Sequence, residues 1–247
     1  MLRNLLKPCI LGIGCLIVFV EHKAVSKVAA IRDGESASVV AANLSTPSPA
    51  LISREQEITL ALKAAPVHLR NEATVYTFGK RGYEKARVGT NGFNCMVNRD
   101  GIQNGDGAVH PTCWDPEGSR TLLPVMLRVG ELLAQQKSAA EIKRNIDEGF
   151  DRGRFHSPVK AGIAYMLAGD VKFNPGTGEI SDTVFSPHYM IYAPGVSNDD
   201  IGMTKEAKTP GLPFVYSGYS GGTRTAYIIV VAGESAGHAM PSQNRLR

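Results

Sequence analysis

Residues 138–152 read SAAEIKRNIDEGFDR, a pattern typical of an amphipathic helix in the middle of the chain. Ser138, with Glu141 three positions later, forms the capping-box pattern that begins a helix. Apolar side chains recur every fourth residue, as one face of a helix requires; they are Ile142, Ile146 and Phe150. Gly153 is a typical helix end. We therefore expect a helix over residues 139–152 that buries this apolar face.

A second helix is predicted directly before it, over residues 122–137, with Thr121 as N-cap and Pro124 in its first turn. An earlier helix should begin at Ser53 and stop or kink at Pro66. Segments rich in β-branched and aromatic residues flank the two central helices; they are 74–78, 84–90 and 93–97 before them, and 162–168, 188–193, 212–216 and 225–232 after them. This order predicts an α+β fold, with antiparallel strands and a central pair of helices in a single compact domain.

Two further segments are expected to be loops. Residues 98–118 are rich in Gly, Asn and Asp and indicate an irregular loop. Residues 216–223 (YSGYSGGT) are glycine-rich, but they lead into a strand and not into the helix that a phosphate loop requires. They predict a flexible hairpin turn, and its residues Tyr216 and Tyr219 could contact a ligand.

The N-terminus predicts an export signal. Two basic residues precede an uncharged apolar run over residues 9–20, which is shorter than the ~20 residues that a membrane span needs. The alternative is a buried N-terminal helix or strand of the fold. Cleavage is expected after Ser26, or failing that after Ala30, whereas a lipoprotein would carry its lipid on Cys15.

The chain is therefore expected to have four parts: a signal peptide (1–26), a flexible spacer (27–50), an α+β globular domain (51–233) and a flexible tail (234–247). The mature protein is predicted to be periplasmic or extracellular, without a transmembrane span. Removing the signal takes away three basic residues and one acidic residue, so the formal net charge falls from +4 to +2. No block of like charge remains, and nucleic acid is not expected as a partner.

Two cysteines, Cys95 and Cys113, stay in the mature chain. An even pair in an exported protein predicts one disulfide bond, and two free buried thiols are the alternative. The bond would tie the two ends of the predicted loop and stabilise the fold by about 3 kcal/mol in the chain-entropy model.

Three residues are candidates for a ligand or metal site: His110, Asp115 and His188. A His/Asp/His set could bind zinc or act as acid and base. In the purely structural interpretation, Asp115 caps a turn before Pro116, and His188 lies on a strand with a hydrogen-bond partner. No metal-binding or cofactor motif with specific spacing occurs, so no cofactor is predicted.

A calcium site is a weaker hypothesis. Asp100, Asn104 and Asp106 offer oxygen ligands, but Ile102 occupies a position where the EF-hand pattern needs an oxygen-bearing side chain.

Several segments resemble a family of uncharacterised secreted bacterial proteins; they are 89–95 (GTNGFNC), 111–115 (PTCWD), 161–170 (AGIAYMLAGD) and 187–194 (PHYMIYAP). The resemblance implies that Cys95 pairs with Cys113 and that the protein is a single-domain unit. It implies no activity and no catalytic residue.

The leading functional hypothesis is an exported, non-enzymatic protein that binds a small molecule or a protein partner, or supports the cell envelope. It rests on the lack of a usable catalytic motif in the sequence. The alternative is a hydrolase or a metal-dependent enzyme using His110, Asp115 and His188. Proximity of these three side chains in one pocket would favour the enzyme.

Overall fold

The computed structural model describes residues 51–174, 176–203 and 211–233. All of these residues lie in one compact unit. The predicted signal peptide, spacer and tail lie outside the described residues. In the described part of the chain, no helix is both long and apolar enough to cross a membrane.

The described residues form five α-helices and ten β-strands. The helices are α1 (Arg54–Lys63), α2 (Val67–Arg70), α3 (Pro116–Thr121), α4 (Leu123–Ala134) and α5 (Ala139–Asp151). The strands are β1 (Thr74–Gly79), β2 (Gly82–Arg87), β3 (Asn94–Asn98), β4 (Ala108–Trp114), β5 (Ile163–Met166), β6 (Asp170–Phe173), β7 (Ile180–Phe185), β8 (His188–Tyr192), β9 (Phe214–Tyr216) and β10 (Tyr227–Val231).

These strands belong to a single mixed sheet. Eight of them follow the order β2-β1-β3-β4-β5-β8-β10-β9, while β6 pairs with β4 and β7 beside this path. Every described pair is antiparallel except β1 with β3. The prediction of helices combined with mainly antiparallel strands is confirmed at this level.

Helices cover the two faces of the sheet at β4. One buried cluster joins α4 and α5 to β4, β5 and β8; it includes Val129, Ile146, Trp114, Met166 and Met190. A second cluster joins α1 to β1, β3 and β4; it includes Ala61, Val75, Val97, Val109 and Cys113. Strand β4 therefore contributes side chains to both halves of the core.

Helix α5 begins where its sequence predicts, whereas the start of α4 differs from the prediction. Ser138 and Glu141 form the predicted reciprocal capping box of α5, and the two isoleucines of its apolar face are buried. The central pair of helices is not confirmed, because the separate short helix α3 precedes α4. Asp115 caps α3, and Thr121 ends this helix instead of capping α4.

The prediction of an irregular loop over residues 98–118 is wrong for its second half, which forms β4. All seven residues of β4 are buried, so the strand lacks the polar–apolar alternation by which a half-exposed strand is recognised. Pro111 lies within residues 110–112, where only β3 is paired with β4 among the described strands. Proline has no backbone N–H to donate, and this is tolerated where a strand is paired on one side only.

The predicted disulfide bond is present. Cys95 and Cys113 face each other in the register of β3 and β4, with their Cα atoms 3.9 Å apart, and both are fully buried. The bond joins two neighbouring central strands and not the ends of an irregular loop.

Candidate functional site

A cavity of about 320 Å³ is lined by residues of β4 and β6 to β10. The charged or titratable part of its lining combines two histidines with two carboxylates; these are His110, His188, Asp106 and Asp170. Four aromatic rings form much of the remaining wall; they are Phe185, Phe214, Tyr216 and Tyr219. The antiparallel register pairs Val109 with Val171, and this places Asp170 beside His110.

His110 lies between the two carboxylates. Its Nδ1 is 2.9 Å from Oδ1 of Asp170, and the two atoms form a hydrogen bond. Its Nε2 is 3.3 Å from Oδ2 of Asp106, but the angle of this contact does not meet hydrogen-bond geometry. Burial lowers the pKa of His110, but the hydrogen bond and charge of Asp170, together with Asp106, outweigh burial and raise it above the ordinary value. The protonated ring donates from both nitrogens, and this form suits two flanking acceptors.

His188 has the opposite character. Its Nδ1 lies 2.8 Å from the backbone oxygen of Ser186. A carbonyl only accepts, so Nδ1 carries the hydrogen, and Nε2 of the neutral ring is left as an acceptor. Burial lowers the pKa of His188, and the nearby charge of His110 lowers it further. The cavity thus contains one histidine that favours the charged form and one that favours the neutral form.

The predicted glycine-rich turn supplies part of the aromatic wall. The ring of Tyr219 meets His110 edge-on at 5.6 Å and Tyr216 at 5.0 Å between centroids. Asp100 fixes the turn because its carboxylate accepts hydrogen bonds from the backbone N–H and the hydroxyl of Ser220. The two tyrosines therefore line the cavity from a segment tied to the start of the 99–107 loop.

Asp115 lies apart from this cavity, at the far end of β4. Its carboxylate caps α3 through Gly118 N at 2.9 Å, and it also accepts from Ile163 N at 2.9 Å and the Tyr192 hydroxyl at 2.7 Å. The structure brings His110 and His188 to one cavity but places Asp115 in a structural role.

Two of the three calcium candidates, Asp100 and Asp106, already have partners within the protein. The carboxylate of Asp100 accepts from Gln103 at 2.9 Å as well as from the glycine-rich turn, and Asp106 accepts from Ala108 N at 3.0 Å. Among the residues that the structure describes, no three His, Cys, Asp or Glu side chains are grouped closely enough to hold a metal ion.

A larger groove of about 550 Å³ runs between the start of α5 and the glycine-rich turn. Its charged side chains already have partners: Lys143 and Arg224 both bind Asp147, at 2.5 Å and 2.9 Å. We consider the smaller cavity the better candidate, because its lining combines two histidines and two carboxylates with four aromatic rings.

Asp170 and Phe185 carry no sequence signal that marks them as site residues, and Asp106 is predicted only as a calcium ligand. Asp170 follows Gly169, and Phe185 ends a strand that the sequence pattern did not indicate. The pairing of β6 with β4 and β7 brings these residues to the cavity, and no local pattern encodes that pairing.

The fold and the cavity define a mixed α/β protein with a histidine–carboxylate group set in an aromatic wall. Compared with protein-family models, with curated proteins and with solved structures, the chain matches none. Its functional assignment consequently rests on its own residues.

Proposed function

We propose that this is an exported binding protein that holds a small organic molecule in the cavity without converting it. The observation that carries the proposal is the convergence of two histidines and two carboxylates in an aromatic-walled cavity. Ligand cavities of roughly 300–1,000 Å³ combine an apolar wall with a few orienting polar groups in this manner. A volume of about 320 Å³ suits a ligand at the small end of that range.

A fragment screen by NMR tests this proposal. The protein is labelled with ¹³C at its histidine rings and mixed with small aromatic and aliphatic compounds of positive, neutral and negative charge. A compound that enters the cavity should shift the signals of His110 and His188 together. The exposed His156 lies outside the cavity and serves as the control. A broad panel at millimolar concentration that leaves both cavity histidines unmoved would contradict the proposal.

Export is the part of the proposal that concerns location. It is supported by the buried Cys95–Cys113 disulfide, because such bonds persist in oxidising compartments. Intact-mass measurement of the protein from its native host should give a chain cleaved after Ser26, or failing that after Ala30. A mature chain that still begins at Met1 would show that export does not remove this segment.

An acid–base enzyme is the second candidate, and the pairing of His110 with Asp170 favours it. A carboxylate on Nδ1 orients an imidazole and stabilises its protonated form, as in hydrolases. The described lining of the cavity contains no Ser, Thr or Cys nucleophile, so a hydrolase here would have to activate water. Incubation with the fragments found by NMR separates the two candidates: turnover that His110→Gln abolishes supports the enzyme, and unchanged fragments support binding alone.

A further inference from the structure

The cavity presents an excess of hydrogen-bond acceptors. The carboxylates of Asp106 and Asp170 line it, and His110 between them can balance at most one of the two charges. His188 adds an acceptor at Nε2, because its Nδ1–H is used on Ser186. The described lining contains neither lysine nor arginine.

We propose that the ligand of this cavity is a protonated organic amine. Its ammonium group has the Asp106 and Asp170 carboxylates on one side and the aromatic rings on the other. This inference rests on the proposed binding function and specifies its ligand class. An ammonium group supplies both the missing positive charge and the hydrogen-bond donors that the acceptors lack. A carboxylate or phosphate ligand would instead add to an uncompensated negative charge.

The aromatic wall fits the same ligand class. A cation within about 6 Å of a ring centroid is attracted to the negative face of the ring, and desolvation strengthens this attraction. Tyr216 and Tyr219 remain neutral there: burial raises the pKa of each phenol, and nearby carboxylates, including Asp170, raise it further. The rings therefore provide a neutral surface for the organic cation.

The contact between Nε2 of His110 and the Asp106 carboxylate, at 3.3 Å, falls short of an aligned hydrogen bond. His110 is 5% exposed, yet this nitrogen has no aligned hydrogen-bond partner among the described residues. Buried polar atoms are normally satisfied by protein, water or ligand. A carboxylate has about four lone-pair sites, so that of Asp106 can accept from both Nε2 and an ammonium group, besides its hydrogen bond from Ala108 N.

Three probes of matched size test the proposal: 2-phenylethylamine, 2-phenylethanol and phenylacetate, which are cationic, neutral and anionic at neutral pH. Binding is measured by calorimetry, and its location is confirmed by the His110 and His188 NMR signals. We expect the amine to bind at least tenfold more tightly than either other probe. Asp106→Asn should weaken amine binding at least fivefold and leave the alcohol unchanged, since asparagine can still accept from Ala108 N.

Asp182→Asn is the matched control, because Asp182 is an exposed acid on the neighbouring strand β7 and does not line the cavity. It should leave the affinity for the amine unchanged. Equal or tighter cavity binding of the alcohol or the acid would overturn the amine assignment and leave the binding function in place. If none of the three probes moves the cavity histidines, the amine assignment also fails, and the broad fragment panel then decides the binding function separately.

Discussion

At the scale of single residues, the most unusual contact outside the cavity is a buried ion pair. Glu57 is 0% exposed and Arg99 is 1% exposed. Oε1 of Glu57 accepts from Phe78 N at 3.1 Å and from Arg99 Nη2 at 3.4 Å. The Arg99 guanidinium lies 4.7 Å and 4.9 Å from the rings of Phe78 and Phe173. Burial raises the pKa of Glu57 to about 7, although the Arg99 charge opposes this.

Removing the arginine should make stability depend strongly on pH. In Arg99→Met, the pKa of Glu57 should rise further, because the charge that lowers it is gone. A carboxyl with a raised folded-state pKa gives stability that is present below its unfolded pKa and is lost as pH rises through the folded value. We expect the variant to lose about 3–5 kcal/mol at pH ~8 and less at pH ~5. Urea unfolding at both pH values measures this.

The double variant Glu57→Gln/Arg99→Met is the control for that experiment. It removes both charges, so it should recover part of the loss and show little added pH dependence. An equal loss at the two pH values in Arg99→Met would mean that packing of Arg99 between the rings, and not its charge, dominates.

The two cavity histidines should titrate on opposite sides of the ordinary value. The pKa of His110 is raised by Asp170 and Asp106 against burial, so its contribution to stability is present at low pH and lost as pH rises through the folded value. The pKa of His188 is lowered by burial, so its contribution is lost as pH falls. NMR titration of the ring protons should show this separation. Asp170→Asn should lower the pKa of His110, whereas Asp182→Asn should not change it; an unchanged His110 pKa in Asp170→Asn would contradict the assigned cause.

At the scale of elements, the sequence predicts those with strong local signals. Helix α5 combines a capping box with an apolar face of period 3.6, and both lie within residues 138–151. Strand β4 has no comparable signal, because it is buried on both faces and contains a proline, a residue that argues against a central strand. Strand β6 is only four residues long, and its pairing is decided by distant partners.

The packing of α5 gives a test at this scale. Ile146 is fully buried, whereas Arg144 on the same helix is exposed. Ile146→Asn should destabilise the protein by about 3–5 kcal/mol, because it removes buried apolar volume and leaves an amide without partners. Arg144→Asn should change stability by less than about 0.5 kcal/mol. Chemical denaturation of both variants measures the difference, and equal midpoints would mean that the packed face of α5 is assigned incorrectly.

At the scale of the whole molecule, the cavity could be predicted only in part. Histidine side chains can bind ligands and transfer protons, so the sequence predicts His110 and His188 as site residues, and both line the cavity. Asp115, predicted with them because it lies near His110 in the sequence, follows the last residue of β4 and lies away from the cavity. Successive residues of a strand advance by about 3.3 Å, so five residues separate two groups by some 16 Å. The carboxylate that binds His110 comes instead from Asp170, through a register between strands that no single segment encodes.

The disulfide bond encloses a segment of the chain that contributes to the cavity. The segment 99–107 leaves β3 and returns in β4, and the Cys95–Cys113 bond closes the chain around it. This segment carries Asp100, which holds the glycine-rich turn, and Asp106, which lines the cavity. Ordering a segment that contains three glycines costs more conformational entropy than ordering other residues. Without the bond, we expect 99–107 and the turn at 217–222 to loosen before β5, β8 and β10.

The variant Cys95→Ala/Cys113→Ala tests this expectation without adding polar groups to the core. It should lower the free energy of unfolding by about 3 kcal/mol, the value expected for a loop of this length. Limited proteolysis read by mass spectrometry should then detect the first new cleavages within 99–107, while β5 and β8 stay protected because they lie deeper in the sheet. First cleavage in β5 or β8 would show that the bond supports the sheet as a whole, and free thiols in the native protein would exclude this role for the bond.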